Sequence, residues 1–219
     1  MSVASPIVRS SLRDQVLAEL RQRLVSGQLK AGELYSAQAL AAELGVSGSP
    51  VREAMLTLVN QGLMEAVRNR GFRVIPPSDT DRKNVLQLRL WLEVPAMVRL
   101  ATMSDVVEAR RDEFMILADD IVAAARRGDL VQYLDSDREF HLGLLGLLGN
   151  ANLVDIVGNL RDQTRLFGLQ ALHEKGQLVA SAEEHAEILT AMVKGDVVKT
   201  EELMIRHLDH VSGDWAGEA

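Results

Sequence analysis

The 219-residue chain has no cysteine. That excludes disulfides, thiolate metal sites and a cysteine nucleophile, and it leaves packing alone to hold the fold. Aromatic residues make up only 4% of the chain, too few for the stacking platforms that bind single-stranded nucleic acid. Apolar runs such as Leu142 to Leu148 stop far short of the ~20 residues that cross a bilayer, and the N-terminus lacks a basic-then-apolar signal segment. A cytoplasmic protein without membrane contact is the expectation. What is present is a 47% hydrophobic composition, enough for a real core at a length that fits a small domain joined to a modest one.

The net charge of −7 is the wrong sign for a protein that neutralises phosphates, but it is unevenly distributed. Residues 1–76 hold nine Lys+Arg against six Asp+Glu, whereas residues 77–219 hold fifteen against twenty-five. A basic reader joined to an acidic domain with another task fits this asymmetry.

The first half reads as a winged helix-turn-helix. Apolar residues at Leu12, Val16, Leu20 and Leu24 predict a first amphipathic helix that ends before Gly27. A second helix runs from about Ser36 to Leu44. Gly45 can take the left-handed conformation that closes it, Ser47 can cap the next helix, and Pro50 falls in a first turn where a missing N–H costs little. The third helix gathers Val51, Met55, Leu58 and Val59 on one face and turns Ser49, Arg52 and Glu53 outward near its N-terminus, the end that faces a major groove. Two strand-like segments follow, Leu63 to Val67 and Phe72 to Ile75, joined by Arg68-Asn69-Arg70-Gly71. This is a hairpin with a cationic tip, read either as a DNA-contacting wing or as a solvated turn. Pro76-Pro77 ends the strand and marks a boundary between residues 1–76 and 77–219.

Beyond Ser78 the pattern is helical, with breaks near Met103-Ser104, Gly128-Asp129, Gly149-Asn150, Lys175-Gly176 and Gly195-Asp196. These predict an all-α antiparallel bundle of about six helices. All five histidines lie in this half. Asp137 and His141 are one helical turn apart and share a face. His185 and His207 sit in apolar stretches of two later helices, so a bundle can bring all four side chains together as a site for a divalent transition metal. The alternative for each histidine is a satisfied core residue. His173 and His210 read as solvated positions near helix ends.

These residues resemble the GntR family of bacterial transcription regulators, in the FadR-type subgroup with an all-helical FCD ligand-sensing domain. The resemblance rests on Leu44-Gly45-Val46-Ser47 with Pro50-Val51-Arg52-Glu53-Ala54, on Gly62-Leu63 and Gly71, and on Arg89 four residues before Glu93. It extends to Asp137 with Phe140-His141, Glu184-His185 with Ile188, and His207-Leu208. Two positions depart from the family pattern. Gly48 and Gln38 stand where relatives commonly carry charged DNA-contacting residues, which leaves Arg52 with Arg68 and Arg70 as the main cationic candidates.

The resemblance implies a homodimeric regulator, by default a metabolite-released repressor, that binds a pseudo-palindromic operator in double-stranded DNA. Its expected DNA contacts are Gln38, Ser47, Ser49, Arg52, Arg68, Arg70 and Gly71. It further implies Asp137, His141, His185 and His207 as ligands of a divalent metal, zinc or nickel first, that helps hold a small organic acid. Arg89 is the expected carboxylate clamp and Arg165 a second candidate. The other reading of Arg89 is an intrahelical pair with Glu93. Two competing functions stand beside this one. A metalloenzyme would use the same site of three histidines and one aspartate, with Glu184 as its nearest general base although adjacent helix residues point in different directions. A purely structural metal would need no effector.

Overall fold

The computed structural model describes residues 11–25, 27–75, 78–174 and 176–213, with the side chains of residues 25, 164–174 and 210–213 outside that description. The chain divides into two compact units, Met1–Pro76 and Pro77–Ala219. Among the described residues no helix is long and apolar enough to cross a membrane.

In the first unit, α1 (Leu12–Val25) buries Val16, Leu20 and Leu24 at four-residue spacing and packs on α3. α2 (Ala37–Leu44) is capped at both ends: Ser36 Oγ accepts from the Ala39 N–H at 3.0 Å, and Gly45 closes it at φ +67°. α3 (Gly48–Asn60) buries Val51, Ala54, Met55 and Leu58. Ser47 takes the cap position in an extended conformation, but its side chain makes no cap hydrogen bond, contrary to the expectation. The helix instead starts one residue later at Gly48, with Pro50 in its first turn.

The wing is a hairpin of β2 (Met64–Val67) and β3 (Gly71–Val74), with Glu65 opposite Arg73 and Val67 opposite Gly71. Both strands begin within a residue of the sequence expectation. A third strand was not anticipated: β1 (Leu34–Tyr35) pairs antiparallel with the other edge of β3, giving the order β1-β3-β2. Two residues are too few to show alternation, so β1 had no sequence signal. The approach of β1 explains Gly71. It has φ +120°, and a Cβ built there would collide with the Tyr35 carbonyl oxygen.

Among the described residues the second unit is all helical: α4 (Asp79–Ala101), α5 (Ser104–Glu108), α6 (Arg111–Arg127), α7 (Leu130–Gly146), α8 (Ala151–Glu174), α9 (Leu178–Val193) and α10 (Val197–Gly213). A gap between helices lies at or beside each of the five expected breaks, and the expected six helices become seven among the described residues because the short α5 begins at Ser104, within the first break. α4 opens with a reciprocal cap in which Ser78 Oγ accepts from the Asp81 N–H and Asp81 Oδ2 accepts from the Ser78 N–H. Short connections make sequence neighbours pack: α6 on α7 and α9 on α10, while α4 lies along α10 and α8. Phe114 and Phe140 meet edge to face at 6.1 Å in the core beside Met97, Ile121, Leu144 and Ile188.

Gly71→Ala is expected to destabilise the first unit by more than ~1 kcal/mol, because both the backbone conformation and the contact with Tyr35 oppose a side chain. Native-state hydrogen exchange of the β3 amides in the full chain reads this, and unchanged protection would contradict the close approach of β1.

Candidate functional site

In the first unit, the start of α2, the N-terminal turns of α3 and the hairpin tip enclose one open groove of about 960 Å³. Gln38, Ser49, Arg52, Arg68, Arg70 and Gly71 all line it. Ser47 is exposed just before α3 and is not one of the lining residues. Arg52 is held by the wing, its guanidinium carbon 5.9 Å from the centroid of the Phe72 ring, a cation–π distance. Ser49 donates to Glu53 at 3.1 Å. At Gly48 an added Cβ would meet nothing within 4 Å, so the missing side chain leaves open space in the groove. Three cations facing a concave surface, beside the exposed start of a helix, suit a polyanion whose backbone fixes position and whose base edges fix sequence.

In the second unit, Asp137 and His141 on α7, His185 on α9 and His207 on α10 converge. All four are buried, and one ligand atom from each lies within 4.8 Å of the other three. His141 Nε2 is 3.1 Å from His185 Nε2, and Asp137 Oδ1 is 3.1 Å from His185 Nε2 and 3.9 Å from His141 Nε2. Donors bound to one ion at ~2.0–2.2 Å can lie no more than about 4.4 Å apart, and these three separations satisfy that limit.

The tautomers are fixed from behind. His185 Nδ1–H donates to the Ala182 carbonyl at 2.9 Å, and His207 Nδ1–H donates to Glu184 Oε2 at 3.0 Å. In its neutral form each ring therefore turns an Nε2 lone pair toward the cluster. His185 Nε2 and Asp137 Oδ1 then meet as two acceptors with no hydrogen between them, an arrangement that a cation relieves. The buried His141 Nδ1 has no hydrogen-bond partner among the described residues. A donor set of three imidazoles and one carboxylate fits zinc, nickel or a neighbouring transition ion.

A buried charge network adjoins the cluster. Arg161 on α8 donates through Nη1 to Asp137 Oδ2 at 2.9 Å and through Nε to Glu93 Oε2 at 2.9 Å. Arg89 donates through Nε to Glu93 Oε1 at 2.7 Å. Arg89 makes the pair with Glu93 that one of its two readings expected, and both residues are buried on α4. Burial pushes the Glu93 carboxyl up, but the guanidiniums of Arg161 and Arg89 outweigh it and hold it at about 2. The side chains of Arg165, His173 and His210 lie outside the described residues.

Arg161 was missed by the sequence reading, although a signal existed. It falls on the same face of α8 as the inward-facing Val154 and Val157, and a charge on an apolar stripe has to be paired. Glu184 was named in the Glu184-His185 motif and as the nearest candidate for a general base. It is buried with its oxygens bonded to His207 Nδ1 and Arg206 Nε, which does not favour that role.

Burial pushes two of the cluster's histidines down, His141 well below its ordinary value and His207 to about 3, the latter against the raising effect of its bond to Glu184. The unfolded chain protonates near 6.5, so below that pH it binds more protons than the folded one. The stability this lends metal-stripped protein is therefore complete above about pH 6.5 and is lost as pH drops, toward about 3 for His207 and by up to ~1.4 kcal/mol per pH unit for that ring. Glu93 adds its own loss only between about 4.5 and 2. Urea midpoints at pH 7.5, 6.5 and 5.5 check this, with a shallower slope expected in His207→Asn. A flat profile would mean that the rings are not buried.

Comparison with known proteins accounts for both units. The model of bacterial regulatory proteins of the gntR family matches residues 12–74, and that of the FCD domain matches residues 84–210. An uncharacterized HTH-type transcriptional regulator from an unstable DNA locus of Streptomyces ambofaciens is 31% identical over 212 residues, covering 94% of this chain and 85% of that protein. The gluconate operon transcriptional repressor of Bacillus licheniformis is 27% identical over 213 residues, covering 96% and 86%. Among solved structures, Escherichia coli McbR/YncC superposes with a TM-score of 0.77 at 25% identity, covering 92% of this chain and 95% of that one. The chain belongs to the gntR family of bacterial regulatory proteins, in the group that carries an FCD domain, and is a DNA-binding transcriptional regulator rather than an enzyme.

Proposed function

We propose that the protein is a metabolite-responsive repressor that acts as a homodimer, with two winged helices on the half-sites of a pseudo-palindromic operator. The first domain, residues 1–76, reads DNA through Gln38, Ser47, Ser49, Arg52, Arg68, Arg70 and Gly71. The second, residues 77–219, binds metal and effector and supplies the dimer contact. Two-fold symmetry in the protein requires two-fold symmetry in the site it reads. Exposed Leu88 and Trp91, three residues apart on α4, are apolar surface of the kind a second copy buries. The repressor reading is supported by the gluconate operon repressor among the relatives.

Asp137, His141, His185 and His207 hold a divalent transition ion, zinc or nickel. The observation that carries this is the convergence of four buried donors from three helices, two of them with the tautomer that ligation needs. When bound, the ion supplies a Lewis-acid centre for carboxylate oxygens. Arg89, buried beside Glu93, is the clamp for an organic acid, with Arg165 the second candidate. Effector binding shifts operator affinity, and by linkage the operator shifts effector affinity by the same factor.

Arg52→Ala is expected to weaken operator binding by ~1–3 kcal/mol, about 5- to 150-fold, with helicity retained. Fluorescence anisotropy on a selected operator measures it, and undiminished affinity would move the contact to the wing. His141→Ala is expected to lose bound metal and the effector response together, and full metal occupancy in that variant would overturn the ligand assignment. Thermal melts of metal-loaded and stripped protein with gluconate and other sugar, hydroxy, keto and dicarboxylic acids test the effector. Ligand at 100 times its Kd adds ~2.7 kcal/mol, at roughly 2–4 °C per kcal/mol. A shift from metal but from none of the acids would favour a structural ion.

A further inference from the structure

Three histidines converge in the cluster, and each ring nitrogen facing away from it is treated differently. That of His185 is held by the backbone carbonyl of Ala182, one turn back on its own helix. That of His141 has no partner among the described residues. That of His207 is held by a side chain, Glu184, whose other oxygen accepts from Arg206 Nε at 2.8 Å. Arg206 also donates through Nη2 to Glu187 at 2.8 Å, and its side chain is 43% exposed. An unbroken line of charge-assisted bonds thus runs from the surface of α10 to the far side of a buried imidazole.

We propose that Glu184, held in place by Arg206, is a positioning residue for metal capture. It fixes the proton of His207 on Nδ1 and so delivers the Nε2 lone pair to the cluster. The inference rests on the reading of Asp137, His141, His185 and His207 as ligands. A carboxylate can only accept, so the nitrogen it faces carries the hydrogen and the opposite nitrogen keeps its lone pair. A carboxylate behind a ligating imidazole also raises its basicity. Arg206 matters because a buried carboxylate without a cation is costly, and here that cation reaches solvent. Metal affinity is then set partly by a residue outside the buried site.

The test is metal affinity of the full-length protein, stripped and titrated with Zn²⁺ in competition with a chromophoric chelator, with Co²⁺ absorption as a second readout of the ligand field. Glu184→Gln keeps the shape and removes the charge. It is expected to weaken binding ~10- to 100-fold and to shift the Co²⁺ bands, with the melting temperature of stripped protein little changed. Arg206→Gln is expected to move both readouts the same way by less. In a His207→Ala background, Glu184→Gln should add no further loss, which assigns its effect to that ring. Wild-type affinity in Glu184→Gln, alongside weakened binding in His207→Ala, overturns this proposal and leaves the ligand reading intact. Equal losses from Glu184→Gln in both backgrounds also overturn it. Undiminished affinity in His207→Ala overturns the ligand reading and this proposal with it. Should Glu184→Gln fail to fold, Arg206→Gln carries the same test, and wild-type affinity there overturns the proposal.

Discussion

The carboxylate of Glu93 is bonded by two guanidiniums in the interior of the second unit, and the orientation of Asp137 in the histidine cluster follows from that contact. Arg89, Glu93 and Arg161 are all buried, and an isolated charge there would cost several kcal/mol. Glu93 offers one oxygen to each arginine. Arg161, anchored in this way, reaches Asp137 Oδ2 and leaves Oδ1 facing His141 and His185. The orientation of one carboxylate in the cluster therefore depends on a second carboxylate on another helix. Buried ion pairs are poor evidence for stability, since apolar replacements often match them. What this network supplies is direction, because it ties α4, α7 and α8 together at the point where a carboxylate must present a single oxygen.

The first unit solves a different problem, that of keeping cations exposed yet fixed. β3 is the central strand of the sheet, with β1 on one edge and β2 on the other. Its Phe72 is buried on the helix side while the hairpin tip carries Arg68 and Arg70 outward. Because Arg52 of α3 packs over the Phe72 ring, the recognition helix and the wing share one contact and face one groove. A guanidinium over an aromatic ring gives up less conformational freedom when it meets a phosphate or a base edge than a freely rotating one.

Most of the architecture was legible because its signals are periodic. The four-residue spacing in α1, the Gly45 stop, the glycine and asparagine breaks of the second unit and the Asp137–His141 turn all survive in the structure. The failures have physical causes. β1 is two residues long and exists only because β3 offers an edge. Ser47 takes the cap position by backbone conformation without using its hydroxyl. Arg89 could be read as a clamp or as half of an intrahelical pair, and nothing in an Arg-to-Glu spacing reveals that both residues fall on the buried stripe of a helix covered on several sides. Arg161 needed the same insight, together with a partner 68 residues away. Local spacing shows which residues share a face, whereas the pairing of buried charges between distant helices is a tertiary fact.

The position of α10 gives the proposed metal and effector site a mechanical argument. His207 lies on α10, and α10 packs along α4. The first turn of α4 is fixed by the Ser78–Asp81 cap immediately after residues 76–77, where the chain passes from one unit to the other. An ion on the four donors would join α7, α9 and α10 across residues 137 to 207, so its binding energy would act on the seating of α10 against α4. An acid added to such an ion shifts that seating only by as much as it favours one arrangement over another. The same helix that receives this bias is the one that leads back to the DNA reader. The proposed coupling between effector and operator would then need no contact between the two sites. It would need only two arrangements of α4 on α10 that the ligands favour unequally.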